Sequence, residues 1–384
     1  MNNKYITKIS VLSLLLPFLM ANILGDSGPE VIKNPYENVN WPSINNYKMN
    51  LHAHTIKSDG RAEPDHLIYM YADAGYDILA ITDHDNYYTH REGERDIMQN
   101  YIHRDHRDRV PTAEPTWPWT RWIDEKPSKI WVYKGRESSA YYPDLGNRGM
   151  LAIRGAELTT HPHMLNLFTI CGFPDRDQTD DERIACIEKW EGLSYWLHPT
   201  DYIPGGRWEA QVFDTSFEEA VNYFADHIIR HDAFIGIETQ LEGRLERDMK
   251  LLDTLLVRYY RDHDIFFKGS SDKHSTSVSE NEVMTLVLAE ELTEDAVRHA
   301  LTNGHKIVGS RVDPLPEFHT IEVDEQRNRI SVNASNYEEI TWIKNGQEYT
   351  RGDYLDYSNI RDSIVRFQME SGGVIFYSQA FYIR

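Results

Sequence analysis

The chain has 384 residues, which is enough for one large domain with a small accessory domain, or for two medium-sized domains. Its hydrophobic content of 40% is that of a globular protein, and its formal net charge is -21 at pH 7. We do not expect so acidic a chain to bind a nucleic-acid polymer, because that binding depends on clustered lysine and arginine that release counterions. Carboxylates that bind divalent cations would account for part of this charge.

Residues 1–25 have the pattern of a secretory signal peptide. Lys4 and Lys8 precede an apolar run from Ile9 to Leu24, and small or polar residues follow it. A retained membrane anchor is the alternative, although the run is short for a spanning helix. We therefore predict export to the periplasm or to the outside of the cell, with no membrane span after cleavage. Residues 26–45 are predicted to form a lead-in segment.

Export would place the two cysteines of the chain in an oxidising compartment. Cys171 and Cys186 could form one disulfide there. Their spacing matches no metal-binding motif, so a structural metal site with cysteine ligands is not expected.

From residue 46 the sequence alternates between short apolar segments and amphipathic segments. The apolar segments predict strands at 47–54, 76–82, 150–155, 164–170, 194–197, 234–238, 265–269 and 306–309. The amphipathic segments predict a helix from Pro64 and helices near 180–191, 216–230, 244–262 and 293–302. This alternation is typical of α/β proteins with a parallel sheet, and we predict that the sheet closes into a barrel over residues 46–311.

Two parts of the chain depart from this alternation. Residues 87–148 are polar and rich in aromatic residues, which predicts an insertion over the barrel mouth. Its rings either pack on the barrel or contact a sugar or base. Residues 312–384 contain short alternating segments and the tight-turn sequence Asn345-Gly346, which predict a small, sandwich-like all-β domain. We expect this domain to have a packing role, with ligand binding as the alternative.

Histidine and carboxylate residues stand at the C-terminal ends of the predicted strands. His52 and His54 alternate along one strand and can face a single ion together, because alternate residues of a strand point to the same side. Asp272 and His274 repeat this arrangement. Barrel enzymes carry their chemistry at this end of the strands. Further residues of this kind are His84, Glu157, His198 and Glu238.

The order of these residues resembles the polymerase and histidinol phosphatase (PHP) family, a relative of the amidohydrolases. The resemblance covers roughly residues 46–310. It rests on the segments His52-Ala-His54-Thr55, Ser58-Asp59-Gly60, Ala80-Ile81-Thr82-Asp83-His84-Asp85, Gly155-Ala156-Glu157, His163-Met164-Leu165, His198-Pro199, Gly236-Ile237-Glu238 and Ser271-Asp272-Lys273-His274. It implies an α/β fold with a distorted, TIM-like (β/α)7 barrel.

The resemblance also implies a site for up to three divalent ions, which would be zinc, manganese or iron. The ligands of one ion would be His52, His54, Glu157 and Asp272. The second ion would be bridged by Glu157 and held by His163 and His198. The ligands of the third would be Asp59, His84 and His274. Imidazole and carboxylate groups suit these metals, and a carboxylate has two oxygens with which to bridge neighbouring ions.

Four residues near these ligands have more open roles. His161 is the alternative to His163, which is favoured because the apolar pair after it fits the family pattern. Glu238 is expected to lie beside the ligands rather than among them. Asp83 and Asp85 flank a ligand histidine and could orient its ring through the second ring nitrogen, or could be turn residues.

The resemblance implies a metal-dependent phosphoesterase that hydrolyses a small phosphomonoester or phosphodiester, and the predicted signal peptide implies that it is exported. A metal-bound hydroxide would attack phosphorus, with Asp272 and Glu157 as catalytic metal ligands, so that no serine or cysteine nucleophile is needed. Arg207 is predicted to bind the phosphate, or else to be a solvated loop residue, and Lys273 is a second cation inside a metal motif. The alternatives are a non-catalytic surface binding module stabilised by metals, and a metal-dependent hydrolase of a non-phosphorus bond.

Overall fold

The computed structural model describes residues 28–55, 58–62, 64–84, 130–132, 149–160, 162–169, 179–207, 216–239 and 244–384. The predicted signal peptide, Asp85, His161, Cys171 and the predicted insertion, except for 130–132, lie outside the described residues. Cys186 is disulfide-bonded. Within the described ranges, no helix is long and apolar enough to cross a membrane.

The described residues form a β-rich chain with helices between many of the strands. The strands are β1 (Val31–Lys33), β2 (Asn45–Asn50), β3 (Ile78–Ile81), β4 (Ile130–Val132), β5 (Gly149–Leu158), β6 (Met164–Leu167), β7 (Leu193–Trp196), β8 (Phe234–Thr239), β9 (Phe266–Gly269), β10 (Val283–Ala289), β11 (Lys306–Ser310), β12 (Glu317–Asp324), β13 (Arg329–Ser335), β14 (Glu339–Lys344), β15 (Gln347–Arg351), β16 (Tyr354–Asp356), β17 (Ser363–Ser371), β18 (Val374–Ser378) and β19 (Phe381–Ile383). The α-helices are α1 (Pro64–Asp73), α2 (Asp180–Lys189), α3 (Phe217–Arg230), α4 (Leu245–Tyr259) and α5 (Glu294–Asn303). Short 3-10 helices occur at Trp41–Ser43 and Pro199–Asp201.

The helix ends follow capping rules that the sequence already contains. Thr179 caps α2 by accepting the N–H of Glu182, whose carboxylate accepts the N–H of Thr179 in return. Ser216 caps α3 by accepting the N–H of Glu219. Helix α5 ends at Gly304, whose φ of 77° lies in the left-handed region that glycine adopts without a steric penalty. These caps explain where α2 and α3 begin and where α5 ends.

The central sheet is mixed rather than wholly parallel. Parallel pairs join β2 to β3, β3 to β5, β7 to β8 and β8 to β9, as the α/β pattern predicts. Strand β6 instead runs antiparallel to β5 and β7, and β10 antiparallel to β2 and β11. The connection 159–163 from β5 to β6 is too short for the crossover of a dozen or more residues that a parallel pair needs. The sequence did not predict β10, because no helix separates it from β9.

Strands β9 and β10 meet at a contact of the Thr285 side chain. The hydrogen-bonded path ends at β9, and in the described chain no backbone ladder joins β9 to β10. Gly269 of β9 nevertheless donates its N–H to Thr285 Oγ1 of β10 at 2.9 Å, and its carbonyl accepts from the same hydroxyl at 2.9 Å. Strands β9 and β10 therefore lie side by side at this point, and closure into a (β/α)7 barrel stays a prediction.

The C-terminal strands continue the central sheet. Strand β18 pairs with β11, with Ile307 opposite Ser378, while β12, β13 and β16 form a separate three-stranded sheet. Strands β14 and β15 are joined by Asn345 and Gly346, whose φ values of 48° and 79° are those that a tight hairpin turn requires. Since β18 is hydrogen-bonded to β11, a separate domain at 312–384 stays a prediction.

Buried polar contacts bind the C-terminal strands to the rest of the chain. The side-chain amide of Gln379 bonds both the N–H and the carbonyl of Phe267 in β9, each at 3.0 Å. Arg366 donates two hydrogen bonds to Asp253 of α4, at 2.9 and 3.0 Å. Phe267 lies near the start of β9, whereas the ligand motif with Asp272 follows its end. The C-terminal strands thus contact β9 on the side away from the predicted metal ligands.

Candidate metal centre

The predicted ligands lie where strands of the central sheet end. His198 follows β7, and Asp272 follows β9. Beyond the strand ends, single parallel bridges pair Ala53 with Lys273 and His84 with Glu157. These bridges bring the motifs around His52, His84, Glu157 and Asp272 side by side, at the edge where α/β proteins usually place their sites.

Four donor atoms converge in the deepest part of the site. The Nε2 atoms of His52 and His54 are 3.1 Å apart, and Glu157 Oε2 lies 3.0 Å and 2.8 Å from them. Asp272 Oδ1 lies 3.2 Å from His52 Nε2 and 3.1 Å from His54 Nε2. This Oδ1 atom is buried, yet it makes no hydrogen bond of good geometry within the described chain. Such a set of donors fits a cation, whose bonds to nitrogen and oxygen ligands are about 2.0–2.2 Å for zinc.

Glu157 also uses its second oxygen. Its Oε1 atom lies 2.6 Å from His163 Nδ1 and 2.9 Å from His198 Nε2. On the Oε2 side, His84 Nδ1 lies 3.4 Å away. The carboxylate is 1% exposed and therefore stands between two sets of imidazoles. A bridging carboxylate between two ions has this arrangement.

A third group of donors lies at the more open side of the site. Asp59 Oδ1 is 3.1 Å from His274 Nε2 and 3.5 Å from His54 Nδ1, and Asp59 Oδ2 is 3.6 Å from His84 Nε2. The side chains of Asp59 and His274 are 35% and 36% exposed, so this group is more exposed to solvent than the donors around Glu157.

The groups in the structure share ligands more than the sequence implied. His54 belongs to the first and third groups, and His84 lies within 4.8 Å of both Glu157 and His163 as well as of Asp59. Every predicted ligand lies in this one connected cluster, but the assignment of each to one particular ion remains a prediction.

The charges of the site favour bound cations. Burial alone would raise the pKa of Glu157, but the neighbouring imidazoles, His84 and His52 foremost, hold it well below its usual value. Burial alone would lower the pKa of His52, but the carboxylates of Glu238, Asp272 and Glu157 raise it to about 10. The carboxylates thus stabilise a positive charge on the imidazole of His52, and a metal ion would displace its proton. The residues present therefore fit divalent ions.

Lys268 is a fully buried residue of the site that the sequence analysis missed. Its Nζ atom lies 2.6 Å from Glu238 Oε1 and 2.7 Å from Ser270 Oγ. Glu238 lies 2.9 Å from His52 Nδ1 and accepts the N–H of His198 at 3.1 Å. Glu238 thus lies behind the ring of His52 and can orient it, as carboxylates behind metal-bound histidines commonly do. A single charge within the otherwise uncharged strand β9 was the available signal.

Asp83 anchors the loop between the first two ligand motifs. Its buried carboxylate accepts hydrogen bonds from the N–H and the hydroxyl of Thr55, at 2.6 and 2.7 Å, and from Ser58 Oγ at 2.6 Å. The sequence allowed it to orient His84 or to be a turn residue. The Nδ1 atom of His84, which Asp83 could have oriented, lies 3.3 Å from Thr159 Oγ1. The contacts of Asp83 thus favour the role of a loop anchor.

Two of the predicted ligands have backbone conformations that are rare outside glycine. His198 has a φ of 30°, and Asp272 has a φ of 49°. Such conformations cost about 1–3 kcal/mol each and persist only where the surroundings enforce them, often at functional sites. The backbone of this site is therefore held in place by its neighbours.

The two predicted cationic substrate contacts differ in their surroundings. Lys273 Nζ lies 2.6 Å from Glu282 Oε2, so its charge is already paired. Arg207 is exposed and ends the described segment 179–207. The turn before it is braced by Arg247, which donates to the carbonyl of Gly205 at 2.7 Å. A substrate contact of Arg207 stays a prediction.

Comparisons with known proteins give matches among solved structures only. No family model and no curated protein matches the chain. A two-domain protein from Bacteroides vulgatus that contains a predicted PHP-like metal-dependent phosphoesterase matches with 15% identity and a TM-score of 0.46, over 91% of this chain and 98% of that one. An amidohydrolase from Chromobacterium violaceum, with bound sulfate and no metal, matches with 13% identity and a TM-score of 0.32, over 59% and 87%. The solved structures that this chain is similar to thus include a PHP-like metal-dependent phosphoesterase and an amidohydrolase, each at low sequence identity.

Proposed function

We propose that this chain is a multinuclear-metal phosphoesterase that hydrolyses a small phosphomonoester or phosphodiester. The observation that carries the proposal is the position of Glu157, which has imidazoles of His52 and His54 at one oxygen and those of His163 and His198 at the other. A buried carboxylate in this position suits two adjacent divalent ions. Such ions neutralise the charge of a phosphate group and lower the pKa of water.

Different residues of the chain would bind the metals, orient the ligands and bind the substrate. Zinc, manganese or iron would be held by the three groups described above. Glu238 and Lys268 fix the orientation of His52, and Asp83 fixes the loop that carries Asp59. The open side at Asp59 and His274 would admit the substrate, and Arg207 would bind its phosphate. We further propose that the mature chain is exported.

The test is hydrolysis by the mature chain, starting at Asp26 and reconstituted with zinc or manganese, on paired generic phosphomonoester and phosphodiester substrates. Glu157→Gln, which removes the bridging charge, serves as the inactive control, and metal content is measured for both proteins. We expect phosphate or alcohol release that depends on metal and on Glu157. A preference for the monoester would indicate a phosphatase, and a preference for the diester a phosphodiesterase.

No release from either substrate by fully metallated protein would contradict the proposal. That result would favour the non-catalytic binding module or a hydrolase of a non-phosphorus bond. An amide substrate series would then separate these two.

A further inference from the structure

A second buried network lies next to Asp272 and contains none of the ligands. Its centre is Glu282, which is 1% exposed and directly precedes β10. Glu282 Oε2 lies 2.6 Å from Lys273 Nζ and accepts the N–H and the hydroxyl of Ser279, at 2.9 and 2.8 Å. Its Oε1 atom accepts the hydroxyl of Tyr71 at 3.2 Å. One carboxylate thus joins the ligand loop, α1 and the start of β10.

The same network reaches the residue on the other side of Asp272. Ser271 Oγ lies 3.0 Å from the hydroxyl of Tyr71 and accepts from the side-chain amide of Asn50 at 2.8 Å. The side-chain oxygen Oδ1 of Asn50 in turn accepts the backbone N–H of His52 at 3.0 Å. Both neighbours of Asp272 in the chain are therefore tied, through Glu282 and Tyr71, to the segment that carries the first ligand histidine.

Asp272 needs such support because its own backbone is strained. Its φ of 49° is unfavourable for a residue with a side chain, and the segment would relax if its neighbours were free. Lys273 is also the residue through which this segment pairs with the first ligand motif, since its carbonyl accepts the N–H of His54 at 2.8 Å. A small shift at Lys273 would therefore move Asp272 Oδ1 relative to the imidazoles that it faces.

We infer that Glu282 is a positioning residue: it holds Ser271 and Lys273 so that Asp272 Oδ1 stands against the Nε2 atoms of His52 and His54, and so sets the metal affinity of that group. The inference rests on the proposed metal centre. It assigns Lys273 to this anchor instead of to the substrate, because its ammonium group is already paired.

The experiment is a titration of the full-length mature protein with Co²⁺, whose absorption reports the number of bound ions, their affinities and their geometry. Glu282→Gln keeps the shape of the side chain but removes the charge that holds Lys273. We expect one ion to bind about 10–100-fold more weakly, which is the usual effect of losing a partner of a metal ligand, with smaller changes for the others. Glu294→Gln is the matched control, because Glu294 is a buried glutamate of α5 outside all three ligand groups.

Two further variants test the inference even if Glu282→Gln lowers the stability of the protein. Tyr71→Phe keeps the aromatic ring and leaves the charge of Glu282 in place, but it removes the hydroxyl between Ser271 and Glu282. We expect it to weaken the binding of the same ion. Lys273→Met should also weaken the binding of that ion. The double variant with Glu282→Gln should lose less affinity than the product of the two single losses, because both substitutions remove the same contact between Lys273 and Glu282.

The outcomes separate this inference from the proposed function. If the unsubstituted protein binds no Co²⁺, the metal centre itself is wrong and the inference falls with it. If the unsubstituted protein binds Co²⁺ and Glu282→Gln binds it with the affinities of Glu294→Gln, the inference alone is overturned. If Glu282→Gln does not fold, unchanged affinities in Tyr71→Phe would overturn it equally.

Discussion

Glu238 lies 2.9 Å from Nδ1 of His52, which leaves the Nε2 atom of that ring to face Glu157 and Asp272. Burial alone would raise the pKa of Glu238, but His52 and Lys268 lower it to about 2. The carboxylate is therefore charged and can hold the ring in one orientation. The buried ammonium of Lys268 compensates that charge at 2.6 Å.

Lys268→Met should destabilise the metal-free protein strongly. The change leaves the buried carboxylate of Glu238 with the imidazole of His52 as its remaining partner, and breaking a buried pair costs about 3–5 kcal/mol. The free energy of unfolding in urea measures it. The double variant with Glu238→Gln should recover part of the loss, because neither charge then remains. A double variant as unstable as the sum of both single variants would contradict this pairing.

Gly60→Ala should disturb the loop that carries Asp59. A Cβ atom at this glycine would lie 2.3 Å from the carbonyl oxygen of His54, which is backbone and cannot rotate away. We expect lower thermal stability and weaker binding of the ion nearest Asp59, measured by thermal unfolding and by metal titration. Gly28→Ala is the control, since nothing of the described chain lies within 4 Å of its added Cβ. If Gly60→Ala and Gly28→Ala had equal thermal stability and metal affinity, the close approach of Gly60 to the carbonyl of His54 would be excluded.

Arg207→Ala should raise KM for a phosphorylated substrate and leave metal content unchanged. The physical reason is the loss of a guanidinium that can donate two hydrogen bonds to a phosphate. Steady-state kinetics with metal analysis measure both quantities, and Arg327→Ala, an exposed residue next to β13, is the control. Unchanged kinetics would remove Arg207 from the site and leave it as a solvated loop residue.

Some of the proximity among the predicted ligands follows from local sequence signals. His52 and His54 share a face because strand residues alternate, and their positions at strand ends follow from the apolar runs before them. The sharing of His54 and His84 between ligand groups was not predictable, because it depends on distances between segments far apart in the chain. Glu282 was missed for the same reason: its partner Tyr71 lies on α1, and nothing in the local pattern links them.

In the fold, too, some features follow from the local sequence and others depend on contacts between distant segments. The helices and most strands follow from periodicity, whereas the antiparallel direction of β6 depends on the short connection 159–163. Strand β10 escaped prediction because it follows β9 without a helix. The pairing of β18 with β11 joins residues that the change in sequence texture at Val312 would assign to different domains.

The stability of the protein should fall in mild acid partly through His305. This residue is 4% exposed, and burial, together with His299 and Lys306, lowers its pKa from 6.5 to about 4. Between these two values the unfolded chain binds a proton that the folded protein does not, so the free energy of unfolding decreases as the pH falls. His305→Gln should flatten that decrease in urea unfolding curves. The exposed His319→Gln should not, and equal pH dependence in both variants would contradict the assignment.

Gln379→Leu should destabilise the central strands around β9 and the C-terminal strands together. The change leaves the N–H and the carbonyl of Phe267 buried without their partner, at a cost of about 1–3 kcal/mol for each group. Because β18 and β11 belong to one hydrogen-bonded sheet, we expect one cooperative urea transition with a lower midpoint. Gln347→Leu, at an exposed position of β15, is the control. If residues 312–384 form an independent domain, Gln379→Leu would instead separate the unfolding into two transitions and leave one midpoint unchanged.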